Sequence, residues 1–209
     1  MHKASKSVTV FIVACLALFG VMSVNSYAQC SYWLSVPFLK QVPPGDWTNT
    51  KNCGQTCAVM LGGYFNGSAV NSSAITDQND WLYNYTSDSR YNDANGWYTG
   101  GSKLSAFLHL LTDYHGLSAS AHYGSSIDDI LDEGCSDNPV IAGVQISGGQ
   151  LVSSGGVGHW AIVIGYDPYY DEVILNDPGN SNGGSITYSV TDFVNSWASQ
   201  DKIYIPVSD

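Results

Sequence analysis

Basic residues are scarce in this chain: seven Lys and Arg stand against eighteen Asp and Glu in 209 residues, for a formal net charge of −11 at pH 7. A surface of that sign repels nucleic acid and anionic membranes and keeps a protein dispersed, so no nucleic-acid partner is expected. No apolar run reaches the roughly 20 residues that a membrane-crossing helix needs; the longest, Val8 to Met22, stops short of it. There is no Cys-x-x-Cys pair, and the five histidines are not clustered at ligand spacing, so neither a metal nor another cofactor is expected. Internal repeats, long linkers and low-complexity tracts are also missing. What is left is long enough for one domain with a core of its own.

The first 28 residues combine Lys3 and Lys6, the apolar stretch Val8 to Met22 and the small residues around Ala28, with no acidic residue. That three-part layout is expected of a secretory signal peptide, cut after Ala28, which leaves a single domain over 29–209. The expected location is secreted or periplasmic, with no stable membrane association after cleavage and a monomer as the exported form. Export makes disulfides possible. Cys30, Cys53, Cys57 and Cys135 remain after the signal; Cys30 and Cys135 lie in terminal or loop segments and are the expected pair. A bond between Cys53 and Cys57 is disfavoured, because side chains four apart on a helix are about 5–6 Å apart at Cβ and a disulfide needs about 3.8 Å.

The residues that carry chemistry fall in four places. Cys53 opens an expected helix, Asn52-Cys53-Gly54-Gln55-Thr56-Cys57, with Asn52 as its N-cap and Gly67 at its exit. Gln41 precedes it. Far downstream come Gly158-His159-Trp160-Ala161-Ile162-Val163 and then Asn176-Asp177-Pro178-Gly179. Only a thiolate attacks a carbonyl efficiently, so a nucleophilic cysteine needs its negative charge favoured. A helix start supplies partial positive charge, worth about 0.3–1 kcal/mol at an exposed site. An imidazolium supplies more, and histidine also moves the proton to the leaving group. A side-chain amide such as Gln41, with the nucleophile's own N–H, suits the oxyanion of a tetrahedral intermediate.

The third member of the set follows from strand geometry. Ala161 to Ile164 and Glu172 to Leu175 read as two strands joined by a turn at Asp167-Pro168. A hairpin folded about Pro168 sets residue 159 opposite residue 177, which makes Asp177 the expected orienting partner of His159. Asp167 lies some 26 Å away along the strand, at about 3.3 Å per residue. Asn176 points to the other face unless a bulge exchanges the two, and stays as the alternative.

Taken together, Val36-Pro37-Phe38-Leu39-Lys40-Gln41, Cys53-Gly54-Gln55-Thr56, the Gly158-His159 segment and Asn176-Asp177-Pro178 resemble the bacteriocin-processing leader peptidases and their stand-alone relatives, a bacterial branch of the papain-like cysteine peptidase superfamily. The resemblance spans roughly residues 34–207. It implies Cys53 as nucleophile, His159 as base, Asp177 as its partner and Gln41 as oxyanion donor. In other papain relatives the nucleophile is the second cysteine of a Cys-Gly-x-Cys run, which leaves Cys57 as a rival; here Cys53 precedes the glycine, and Cys57 is expected to face the core beside Leu61.

The remainder reads as scaffold. A helix is expected over 102–113 from the stripe Leu104, Phe107, Leu108 and Leu111, and another over Ile127–Glu133 ending before Gly134. His109 and His115 have no matching motif and are expected to be packed or surface residues. Pro139 to Ile146 reads as the first strand of the sheet that carries His159. Residues 81–98 are rich in Trp and Tyr, and residues 147–158, rich in Gly and Ser, are either a flap beside His159 or a plain hairpin connection. The expected fold is α+β: an N-terminal helical half with the nucleophile helix packed against a C-terminal antiparallel sheet. The expected function is a cysteine peptidase or amidase acting on a peptide or protein through a thioester. The alternatives are a catalytically silent domain binding peptide or glycan in the same cleft, and an acyltransferase or deamidase with the same residues.

Overall fold

The computed structural model describes residues 30–41, 51–88, 91, 103–180 and 183–209. The expected signal segment, and part of the aromatic-rich segment 81–98, lie outside the described residues. In chain order the elements are β1 (Tyr32–Trp33), α1 (Cys53–Asn66), α2 (Ser72–Thr86), α3 (Leu104–His109) running into a π-helical turn (Leu110–Tyr114), β2 (Ser118–Ala119), α4 (Ile127–Cys135), β3 (Val140–Ser147), β4 (Gln150–Leu151), β5 (Val157–Asp167), β6 (Glu172–Asn176), β7 (Ile186–Ser189), α5 (Val190–Ala198) and β8 (Tyr204–Ser208).

The antiparallel sheet runs β2-β8-β3-β5-β6-β7, with β1 added to β5 and β4 to β3. Its central strands are apolar at successive positions because both faces are covered. Ile141, Ile162, Ile164, Ile174 and Ile205 face a cluster built with α1, α2 and α3. Val140, Ala142, Val144, Ala161, Val163, Val173 and Leu175 face a second cluster with α4 and α5. Residues one apart along a strand point to opposite faces, so a two-sided core erases the polar alternation of a half-exposed strand. The bulge between Val163 and Gly165 changes that parity, and Tyr166 accordingly joins the Ala161 and Val163 side.

The architecture is the expected α+β, with α1 seated on β5. Several details differ from expectation. Helix α2 was not anticipated, since its inward face is Ile75, Gln78, Asn79 and Leu82; two amides interrupt the apolar stripe that sequence periodicity relies on. Helix α5 also follows the sheet strands, its start capped by Ser189 accepting from Asp192 N–H at 3.0 Å. The helix expected over 102–113 turns π-helical at Leu110, burying Ala106, Phe107, Leu110 and Leu111, while Leu104 and Leu108 pack at the margin. Gly134 lies inside α4 and not after it. A Cβ there would stand 2.0 Å from the Tyr32 ring, so the glycine serves close packing. Gly67 ends α1 in the left-handed conformation, as expected of a helix exit. Residues 147–158 form the connection of a hairpin: Gly148 and Gly149, both at positive φ, turn the chain so that Gln150 and Leu151 pair with β3.

A disulfide joins Cys30 to Cys135, 105 residues apart, fixing the start of the described chain to the end of α4. Cys53 and Cys57 are free thiols. No described helix is long and apolar enough to cross a membrane.

Candidate active site

Cys53 is the first residue of α1, and no acidic side chain lies in the first turn. The positive end of the helix is therefore not neutralised by a neighbouring carboxylate. The helix is buried without interruption from Cys53 to Gly62, so the thiol is held at the mouth of a rigid central element.

His159 comes from β5, where it pairs with Val144 of β3. Its Nε2 hydrogen-bonds Asp177 Oδ1 at 2.5 Å, and the ring interacts with the Cys53 thiol, whose ionised form it favours. Because Nε2 is committed to the carboxylate, Nδ1 is the nitrogen that serves the sulfur. Burial works against charge on both groups. For Cys53 it is outweighed by the hydrogen bond and charge of His159 and by backbone contacts at Trp160 and Gly54, so the thiol pKa falls below its ordinary value. For His159 it is outweighed by Asp177 and Cys53, which raise the imidazole to about 10. Each group thus favours the charged form of the other, thiolate beside imidazolium.

The route by which Asp177 reaches His159 differs from the hairpin drawn from sequence. Asp167 pairs with Glu172, so the turn is centred beyond Pro168, and after the bulge Ile162 pairs with Asn176. Residue 159 is therefore not the backbone partner of residue 177. The contact is made by side chains, because Asp177 stands just past the end of β6, in a turn where its Oδ1 also accepts from Gly179 N–H at 2.7 Å. Gly179 is required there: a Cβ would lie 2.9 Å from His159 Cε1 and 3.2 Å from Asp177 Oδ1. The Asp-Pro-Gly sequence is the signal for such a turn. Its role in holding the carboxylate was not apparent from it.

Asn176 faces the other way. Its Nδ2 donates to Val36 O at 2.9 Å and its Oδ1 accepts from Ser185 N–H at 3.1 Å, so it takes no part in orienting His159. It helps instead to anchor the segment that carries Gln41. Leu34 N–H donates to Ile164 O at 2.7 Å and Gln41 N–H to Pro178 O at 2.9 Å. Gln41 is thereby fixed one residue from Asp177, and it is buried, its Oε1 without a hydrogen-bond partner among the described residues. Amide and carboxylate thus share a neighbourhood that the backbone itself defines.

Cys57 is turned into the protein. It is fully buried and donates to Trp160 O at 3.6 Å, and burial, with the charges of Cys53 and Asp177, raises its pKa well above the ordinary value. The other described histidines have unrelated surroundings. His109 pairs with Asp113 at 2.7 Å on the surface. His115 contacts Gln78 at 2.7 Å and is pushed down to about 4 by burial, and His122 contacts Ser120 and stacks on Tyr204. Among the described residues no group of three His, Cys, Asp or Glu could hold a metal ion.

An α+β fold in which a helix-start thiol meets a strand histidine is the architecture of the papain-like cysteine peptidases. The chain belongs to the Peptidase_C39 like family, whose sequence profile matches residues 33–205. Its fold is similar to the crystal structure of a candidate C39-like peptidase from Bacillus anthracis, with a TM-score of 0.59 and 18% identity over 87% of this chain and 98% of that one. No curated protein matches the chain at a significant level.

Proposed function

We propose that the protein is an exported cysteine peptidase in which Cys53 is the nucleophile, His159 the acid and base, Asp177 its orienting partner and Gln41 an oxyanion donor. One observation carries the reading: the buried His159 ring is hydrogen-bonded to Asp177 and, on its other side, favours the ionised form of the Cys53 thiol. Sγ of Cys53 attacks the carbonyl carbon of a peptide bond, and the C=O electron pair moves onto oxygen, where the Gln41 amide and the Cys53 N–H receive it. The intermediate collapses as the C–N bond breaks, and the proton on His159 Nδ1 passes to the departing nitrogen. A thioester is left on Cys53. Water, losing a proton to His159, attacks that thioester; the carboxylic acid departs and the thiolate returns.

Export is supported by two features together, the signal-like first 28 residues and the Cys30–Cys135 disulfide, which persists in an oxidising compartment. The substrate is a peptide or protein, and no cofactor takes part in the steps above.

The test is alkylation of the purified protein by a thiol-directed reagent between pH 5 and 9, with peptide mass spectrometry to locate the label. Rapid labelling of Cys53 well below the ordinary thiol pKa of about 8.5, lost in His159→Ala, is the expected result. Labelling that rises only toward pH 8–9, or that falls first on Cys57, overturns the assignment.

A further inference from the structure

Between α1, α2 and the π-helical turn lies a cavity of about 350 Å³, within the range of about 300–1,000 Å³ usual for small-molecule sites. Cys53, His159 and Asp177 take no part in its lining. Val59 and Gln78 are buried and form its inner wall, whereas Ala69, Asp77 and Tyr114 are exposed and form its mouth. His115, also in the wall, is held from three directions. Its ring sits against Gly62 of α1, where a Cβ would stand 2.3 Å from it. Its carbonyl accepts from Asn66 Nδ2 at 2.7 Å, and its Nε2 meets Gln78 Nε2 at 2.7 Å. Burial keeps the imidazole down at about 4, so at neutral pH the ring is uncharged and its Nε2 accepts from Gln78. The other end of that amide, Oε1, is buried with no hydrogen-bond partner among the described residues.

We propose that this cavity is a binding site for an alkylammonium group, with Asp77 and the Tyr114 ring receiving the charge and the apolar stem lying against Val59 and Ala74. The charge in the wall has one sign: Asp77 is negative, His115 is neutral, and no Lys or Arg lines the cavity. Asp77 stands near enough to Tyr114 that its charge, after burial, helps to raise the phenol pKa. A carboxylate beside an exposed aromatic ring attracts a cation through both its charge and the negative face of the ring. The ring is kept in place by Trp81, which packs edge-on at 5.5 Å and itself stacks on Tyr85. An anionic ligand would meet Asp77 with no cation to offset it, and a neutral one leaves carboxylate and ring unused. A primary ammonium meets both, and its N–H groups are the donors that the unpartnered amide oxygen of Gln78 lacks. The site is independent of the role given to Cys53.

The test is titration of the purified protein at pH 7 with n-butylammonium chloride, followed by the backbone amide signals in two-dimensional NMR. Saturable shifts centred on Ala74, Asp77, Gln78, Tyr114 and His115 are expected. Butan-1-ol, of the same length but uncharged, should bind about tenfold more weakly or worse, and so should n-butylammonium to Asp77→Asn, since each change removes the charge assistance from one hydrogen bond. Asp77 is exposed, so its replacement by asparagine leaves the rest of the spectrum in place. Ala74→Leu fills the cavity from α2 and should abolish the shifts. Nα-acetyl-lysinamide separates the two sources of such a group: binding as tight as that of n-butylammonium identifies the lysine side chain of a peptide, and its exclusion identifies a small free amine. Shifts that fail to saturate, equal binding of butan-1-ol, or undiminished binding by Asp77→Asn overturns the proposal. Saturable binding with shifts centred elsewhere, unaffected by Ala74→Leu, overturns it as well.

Discussion

Replacing Asp177 by asparagine probes the joint between carboxylate and imidazole, because it removes one charge and almost no volume. In the native protein Asp177 Oδ1 accepts hydrogen bonds from His159 Nε2 at 2.5 Å and from Gly179 N–H at 2.7 Å, both in a buried setting. An asparagine oxygen can still accept, so the perturbation converts a charge-assisted hydrogen bond of about 1.5–3 kcal/mol into a neutral one of about 0.5–1.5 kcal/mol. The difference, about 1–1.5 kcal/mol, corresponds to about one pKa unit of imidazolium stability. His159 is raised to about 10, with Asp177 the leading favourable influence. The proposed function requires the thiolate and imidazolium together, a state bounded below by the lowered Cys53 pKa and above by the raised His159 pKa. The alkaline limb of kcat/KM should therefore start from near pH 10 and move down by about one unit in Asp177→Asn, with the plateau rate reduced about tenfold. The assay is hydrolysis of a peptide cleaved by the wild-type protein, followed from pH 5 to 11. Asn176→Ala is the control: it loses the bonds to Val36 and Ser185, lowering stability while leaving that limb in place. An unchanged alkaline limb in Asp177→Asn, or an equal displacement in Asn176→Ala, would refute the account of how His159 is charged.

Other expectations follow from the same geometry. Cys53→Ala and His159→Ala should each abolish turnover with circular dichroism unchanged, whereas Cys57→Ala, which alters a thiol aimed at the Trp160 carbonyl, should keep turnover in the same assay. Gln41→Ala should lower kcat on the order of 10²–10³ with little change in KM, the scale found when one oxyanion donor is lost; an effect confined to KM argues against that role. Gly179→Ala sets a methyl 2.9 Å from His159 Cε1 and should reduce kcat/KM by about 10–100-fold through displacement of the ring. Replacing Cys30 and Cys135 by serine opens a loop spanning 105 residues. The expected cost of about 2–5 kcal/mol corresponds to a fall in Tm on the order of 10 °C by calorimetry, with kinetics of the folded protein preserved.

The separate pieces of the site were legible because each is a local pattern. A cysteine at a helix start, a histidine entering an apolar strand and an Asp-Pro-Gly turn declare themselves through residue type and nearest neighbours. Helix α1 was similarly plain, with its apolar length and its glycine exit. Helix α2 was hidden because Gln78 and Asn79 stand where apolar residues would mark its buried face. Those amides are buried for the contacts they make with His115, Asn52 and Gln55, contacts 27 or more positions away for Asn52 and His115 and 24 for Gln55. No window of periodicity reports a partner at such range.

The sequence by itself determined the inventory: which thiols, rings, carboxylates and amides exist, in what order, and on which kind of element each sits. Tertiary structure decided how they meet. The bulge at Val163 and Gly165 and the turn beyond Pro168 set the β5–β6 register, and with it which of two adjacent side chains, Asn176 or Asp177, reaches His159 and which anchors the Gln41 segment. Packing of α1 on β5 turned Cys57 to the Trp160 carbonyl and left Cys53 at the histidine. The asparagine before α1 makes no side-chain cap and accepts instead from a residue of another helix. Each of these outcomes turns on a displacement of one or two residues or on a contact between distant segments, and side-chain direction reverses with every residue along a strand. Local propensity is the same on both sides of such a choice; only the packed sheet and its covering helices distinguish them.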